Sequence, residues 1–117
     1  MSDLNDSDDI DADISRAEHA LAERAERRPE YTSGISEATL DAIDAWVVQA
    51  RDCGGFVSAV LCNDLFAALS LADPVNRVQL PNIVRYLYNE APAACWGDEE
   101  LVDEWRFRGG EIGRRGC

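Results

Sequence analysis

Asn63 and Asp64 stand side by side in a stretch that is otherwise apolar, residues 56–71 (FVSAVLCNDLFAALSL). A carboxylate and an amide in such surroundings could anchor a small ligand, pair with a cation or help hold a metal-bound water. Buried without a partner, each would cost a few kcal/mol, so both need one. If the stretch is a single helix, a turn of about 100° per residue puts Asn63 on a face with Phe56, Ala59, Phe66, Ala67 and Ser70. Asp64 then points about a quarter-turn away. A helical hairpin turning at Asp73 brings together residues equidistant from it, so Ser70 meets Asn76 and Asp64 comes within reach of Arg85. Two readings stay open. In one, the polar pair belongs to a structural hydrogen-bond network closed by an Asp64–Arg85 ion pair. In the other, it lines a polar pocket for a small ligand or a partner.

Other chemistry-bearing residues carry similar pairs of readings. Asp73 is a good N-cap with Pro74 at the first helical position, and Asn76 supports that turn. Trp96 either pins its loop to the core or joins Tyr86 and Tyr88 in stacking a base or presenting a binding surface. All-helical nucleotide hydrolases hold magnesium with several carboxylates at helical spacing. Here Asp64 is alone on its helix, with Asn63 where a second acid would help, so magnesium-dependent hydrolysis of a nucleotide or phosphoester is only an alternative. The four cysteines (Cys53, Cys62, Cys95, Cys117) show no CxxC spacing and His19 is the sole histidine. That argues against a zinc site and for reduced thiols. Cys95 has no histidine nearby in sequence to make it a nucleophile. The candidate ligand- or partner-binding residues are therefore Asn63, Asp64, Asp73, Asn76, Arg85, Tyr86 and Trp96. No catalytic residue, metal ligand or cofactor is expected.

The elements that must position these residues all read as helices. Residues 1–14 hold six Asp and no basic residue, the composition of a disordered acidic tail. Ser15-Arg16-Ala17-Glu18 has the form of a capping box and opens an Ala/Glu/Arg-rich helix over 15–29, stopped by Pro29. Its apolar stripe is thin, which suits loose attachment or contacts in a homo-oligomer. A helical core domain follows over 35–108. Ser36 starts a helix with Leu40, Ile43, Val47 and Ala50 on one face and Trp46 beside it, ending at Gly54-Gly55. Residues 56–71 are apolar almost all round, as in a central buried helix. From Pro74 a helix runs to about Glu90, with Pro81 expected to kink or restart it. Asp98 caps a last short helix carrying Leu101, Val102 and Trp105, and residues 109–117 read as a flexible tail. No segment alternates as a strand would. The expectation is an all-α fold, a compact bundle of about five helices around a central antiparallel hairpin, with a disordered acidic N-terminal tail.

Composition narrows the function classes. The chain has 117 residues, one domain's worth, and a net charge of −12. Half of that excess lies in residues 1–14. Direct nucleic-acid binding through phosphates needs a basic face, and an anionic membrane surface would repel the chain. No apolar run is long enough to span a bilayer and no signal peptide is visible, so a cytoplasmic setting is expected. All 11 basic residues are arginine. Arginine is weakly hydrated and a high net charge keeps proteins soluble in salt, so a halophilic-like host fits; a GC-rich genome explains the absence of lysine equally well.

Gly55-Phe56, Ala59-Val60-Leu61, Asn63-Asp64-Leu65, Ala72-Asp73, Asn76, Ile83, Tyr86, Pro92 and Trp96-Gly97, ending near Trp105, follow one another in an order that resembles a family of small tailed-phage and prophage proteins. The namesake of that family is encoded beside the tail-fibre assembly chaperone of a T-even phage. The resemblance covers about half of the chain and leaves out the acidic tail and the Ala/Glu/Arg helix. It implies a virus- or provirus-encoded accessory protein working in the host cytoplasm, and it transfers no catalytic role. It also implies that Asn63, Asp64, Asp73, Asn76 and Trp96 matter together. The leading expectation is thus a phage accessory protein without catalysis that binds a host protein or a small-molecule ligand, with counter-defence as one use. Besides the hydrolase, an acidic mimic of DNA is the other alternative.

Overall fold

Ser36 opens the helix on which the core is built. Its hydroxyl accepts the amide of Thr39 at 3.2 Å, and α2 follows as Glu37–Gln49. The computed structural model describes residues 2–113, with side chains from residue 14 onward. Among these residues every regular element is helical: α1 (Ser2–Glu26), α2, α3 (Gly54–Leu61), α4 (Leu65–Leu71), α5 (Pro74–Glu90) and α6 (Glu99–Arg108), with 3-10 turns at Glu30–Gly34 and Ala93–Cys95. No helix among them is long and apolar enough to cross a membrane. The disordered tail expected over 1–14 lies, apart from Ile14, outside the described side chains. Ser15 sits inside α1 rather than at its start.

The caps read from sequence at Asp73 and Asp98 are present. Asp73 Oδ1 accepts from Asn76 N at 2.7 Å, with Pro74 in the first turn, and Asp98 Oδ1 accepts from Leu101 N at 2.8 Å. α5 runs unbroken through Pro81. The ring is exposed, so losing one intrahelical hydrogen bond there leaves a carbonyl to water.

The core gathers on α2, not on the stretch 56–71. Ile43, Trp46 and Val47 of α2 pack with Val57 and Leu61 of α3, Ile83, Tyr86 and Leu87 of α5, and Val102 and Trp105 of α6. Two indoles lock this arrangement. Trp46 Nε1 donates to the Cys95 carbonyl and Trp105 Nε1 donates to the Trp46 carbonyl, each at 2.9 Å. A buried indole needs such an acceptor, and here each one ties a different segment to α2.

Several expectations are corrected. Residues 56–71 are not one central helix: α3 ends at Leu61, and α4, which buries only Ala68, lies at the surface. A hairpin of that helix with α5 is therefore not the centre of the fold. The α1 helix is not loosely attached, since its Arg24, and Arg28 two residues past its end, reach into the core to Asp44. Nor do residues 109–113 wave free. The amides of Glu111 and Ile112 donate to the carbonyls of Val47 and Val48 at 3.0 and 3.1 Å, satisfying the otherwise open C-terminal turn of α2. α2 itself stops at Ala50, whose φ of 53° is left-handed, and Gly54-Gly55 open the next helix instead of closing this one.

Candidate functional site

Asn63 and Asp64 form a helix joint. Asn63 has φ 61°, and its amide donates to the Val60 carbonyl at 3.0 Å while that of Asp64 donates to Ala59 at 2.9 Å. These are the two hydrogen bonds of a Schellman stop, with asparagine, the residue after glycine most tolerant of the left-handed region, at its pivot. Asp64 then starts α4 by accepting from Ala67 N at 3.1 Å. The pair is exposed and spends itself on ending one helix and opening another, not on a polar site inside a helix. The joint is tied to the distant Trp96 loop. The Leu61 carbonyl, freed by the break, accepts from Gly97 N at 2.7 Å. Gly97 has φ 131°, which a residue with a Cβ rarely adopts.

Breaking the helix turns its apolar residues outward. Phe66 is 87% exposed, and Leu65, Leu69 and Leu71 of α4 are also open to solvent. α5 adds Val78 (74%), Tyr88 (73%), Val75 and Val84. Two shallow grooves lie along α5, the first against α4 and the second against Trp96. One, of about 60 Å³, is lined by Val60, Asn63, Asp64, Leu65, Ala68, Leu80 and Val84. The other, of about 140 Å³, shares Val60, Asn63 and Val84 and adds Leu87, Tyr88 and Trp96. The Tyr88 and Trp96 rings lie 6.1 Å apart, centroid to centroid, and the buried Trp96 Nε1 has no partner.

So three of the candidate residues, Asn63, Asp64 and Trp96, meet at one place, and the other four lie elsewhere. Asp73 caps α5. Asn76 is buried and its Oδ1 accepts from Thr39 Oγ1 at 2.9 Å; Ser70 is exposed, so the expected Ser70–Asn76 meeting gives way to a tie with α2. The Asp64–Arg85 ion pair is absent. The Arg85 guanidinium lies instead over the Tyr31 ring, 4.1 Å from its centroid. Tyr86 is in the core.

Tyr86 belongs to a buried cluster that sequence reasoning missed. Asp44 is 1% exposed, and its two oxygens receive Arg24 Nε at 3.0 Å, Arg28 Nη2 at 2.8 Å and the Tyr86 hydroxyl at 2.6 Å. Arg28 also reaches Asp41 at 2.9 Å. Burial and the hydrogen bond to Asp44 push the Tyr86 hydroxyl up to about 12. Burial works against the charge on Arg28, but the bonds to Asp41 and Asp44 outweigh it and hold that guanidinium protonated. A signal was present: at about 100° per residue Asp44 falls on the Leu40–Val47 face of α2, an acid where the pattern wants an apolar residue.

The arrangement offers a recognition surface more readily than a reaction. Burial pushes the Cys95 thiol up to about 12 and raises Cys53 and Cys62 as well, so none of the three is an activated nucleophile. Asp64 and Asp73 each commit an oxygen to a helix cap. Comparison with protein-family models, with curated proteins and with solved structures finds no match to this chain.

Proposed function

We propose that the chain is a non-catalytic accessory protein, encoded by a virus or provirus, that holds a host protein on the apolar face shared by α4 and α5. The observation that carries this reading is the groove that Leu65 and Ala68 of α4 form with Leu80 and Val84 of α5, continued past Val84 by Tyr88 and Trp96, with Phe66, 87% exposed, next to Leu65 on α4. Contiguous apolar surface on a soluble protein marks an interaction site. The viral part rests on the resemblance of residues 55–105.

Charge indicates the chemistry of the partner. In a chain of net charge −12, α4 has no charged residue and α5 has only Arg77 and Arg85 before Glu90. At about 100° per residue, Arg77 shares an exposed flank with Val84 and Tyr88, and Arg85 shares the other with Val78. An apolar helix bordered by carboxylates fits that pattern, and the two arginines orient it. Acidic mimicry of DNA draws less support. α6 and its cap carry five acids, Asp98, Glu99, Glu100, Asp103 and Glu104, over a helix of 10 residues. That is roughly 15 Å of axis, over which duplex DNA carries about nine charges.

The test places a photo-crosslinking amino acid at Phe66 and, as a control, at Glu104. The expected result is one host protein captured from position 66 only, with capture competed by the unlabelled chain but not by a Leu65→Ser/Phe66→Ser variant that keeps its helical circular dichroism. Competition by that variant, or capture of a second copy of this chain in place of a host protein, sinks the proposal.

A further inference from the structure

The groove between α4 and α5 has ends of opposite charge. Asp64 caps one end of α4 and lines the groove there. Just past the other end of α4, Arg77 Nη2 donates to the Ala72 carbonyl at 3.5 Å. Both side chains are exposed, and neither forms an ion pair among the described residues. α5 runs antiparallel to α4 along this line, so Arg77, Leu80, Val84 and Tyr88 follow one another from the basic end toward the acidic one. Resting on the reading that this face holds a partner, we infer which helix it takes. That helix seats an aromatic side chain against Tyr88 and Trp96, a small residue one turn later against Leu80 and Ala68, and a carboxylate one further turn on at Arg77.

The two parts of the groove differ in what they admit. The part lined by Leu87, Tyr88 and Trp96 holds about 140 Å³. A cavity of about 150 Å³ takes a benzene ring, so this one has room for the ring of a phenylalanine. Two of its walls are aromatic, and they take a third ring edge-on or offset with a gain beyond area burial. The part against Leu80 and Ala68 holds about 60 Å³. That is the share of about two liquid waters, room for one or two methyl groups but not for a ring. Val84 lines both parts, with Leu80 on one side and Tyr88 on the other, so their centres lie about four residues apart on α5, roughly 6 Å. This is one turn of a docked helix, which sets the two anchors at positions i and i+4. Arg77 lies about as far again beyond the smaller part, opposite position i+8.

Charge sets the direction. A helix with its N-terminus at Asp64 and its C-terminus at Arg77 presents the favourable end of its macrodipole to both. The reverse direction presents the unfavourable end to both. In a chain of net charge −12, with no charge within α4, Arg77 is the cation that borders the groove, since Arg85 lies over Tyr31 on the other flank. A carboxylate at i+8 therefore meets an unengaged guanidinium, and a lysine there would be repelled.

The test uses a synthetic 18-residue helix of alanine and glutamine, with phenylalanine at position 6, alanine at 10 and glutamate at 14. Amide chemical shifts of the full chain follow its binding. The parent peptide should shift the amides of Asn63, Val84, Tyr88 and Gly97. A spin label at its N-terminus should broaden Asn63 and Gly97, and one at its C-terminus should broaden Arg77. Alanine at position 6 should weaken binding about thirtyfold, as loss of a buried aromatic anchor does. Phenylalanine at position 10 should overfill the smaller part and weaken binding about tenfold. Lysine at position 14 should weaken it about fivefold, and Arg77→Glu, which keeps its helical circular dichroism because Arg77 is exposed, should restore it. Four results overturn the inference: no peptide shifts these amides, phenylalanine at 10 binds as well as alanine, the spin labels broaden the opposite ends, or lysine at 14 binds the unaltered chain as well as glutamate. A host protein captured at Phe66 while the peptides show no such order removes this inference alone. Peptides that follow the order without any capture at Phe66 remove the host-protein reading and leave the preference of the groove standing.

Discussion

The Tyr86 hydroxyl and the Arg24 guanidinium share one oxygen of Asp44, the first at 2.6 Å from α5 and the second at 3.0 Å from α1. A single carboxylate on α2 thus ties the helix before it to α5, 42 residues further along the chain, while its other oxygen takes Arg28.

Removing that carboxylate leaves two arginines partly or wholly buried without their counter-ion. Asp44→Ala should destabilise the fold by about 3–5 kcal/mol, the usual consequence of breaking one partner out of a buried pair. Urea denaturation monitored by circular dichroism measures it; a loss under about 1 kcal/mol would mean that solvent reaches the cluster freely.

Alkaline pH should weaken the fold through Tyr86 and Cys95. Both have folded values near 12, against ordinary values of 10.0 and 9.0. Between about pH 9 and 12 the unfolded chain gives up these protons while the folded chain keeps them. The native state then binds more protons, so stability falls as pH rises. Stability from these two groups is fully present below pH 9 and is lost progressively toward pH 12. Tyr86→Phe should lower stability at neutral pH by about 1–2 kcal/mol and make the alkaline decline shallower. Denaturation midpoints at pH 8, 10 and 11.5 check both; an unchanged slope in the variant would refute the assignment to Tyr86.

The joint at residues 63 and 64 predicts an unusual ranking of substitutions. Asn63→Gly should be neutral within about 0.5 kcal/mol, and Asn63→Ala should cost about 1 kcal/mol because its Cβ resists the left-handed region. Asp64→Ala loses the N-cap and should cost a further ~1 kcal/mol. If alanine at 63 proves as stable as glycine, the helix is continuous in solution and the joint is wrong.

Much of the local structure was legible in the sequence: Ser36, Asp73 and Asp98 cap the helices they precede, because a side-chain oxygen at a helix start acts on its own neighbours. The tertiary content was less legible. Residues 56–71 read as one buried helix because apolar periodicity cannot tell a continuous helix from two short ones, and the Asn-Asp pair that breaks it was weighed as a polar site instead of a stop followed by a start. Arg85 was assigned to Asp64 from an idealised hairpin; the break rotates α4 away and leaves Arg85 to Tyr31. Asp44 was visible as an acid on an apolar face, but its partners Arg24, in α1, and Arg28, just past its end, look like ordinary solvated charge in an Ala/Glu/Arg-rich stretch.

Gly110 offers a check on the docked C-terminal segment. Its φ is 81°, and a Cβ there would lie 2.5 Å from the Val48 carbonyl oxygen and 2.6 Å from Gln49 Cα, both backbone atoms that cannot swing aside. Gly110→Ala should cost about 2 kcal/mol or more and raise hydrogen exchange at Glu111 and Ile112. Gly54→Ala, with φ 82° but open space around the added carbon, should cost only the conformational strain, about 1 kcal/mol.

α2 is grasped from both directions, by arginines that precede it and by amides of residues 111 and 112 that follow every other helix. A nascent chain emerging at about 5–20 residues per second has α1 and α2 in hand early but cannot close the C-terminal turn of α2 until those last amides are made. Completion of the fold therefore waits until residues 111 and 112 have left the ribosome, and a ribosome stalled before residue 111 would hold a chain whose central helix is still frayed.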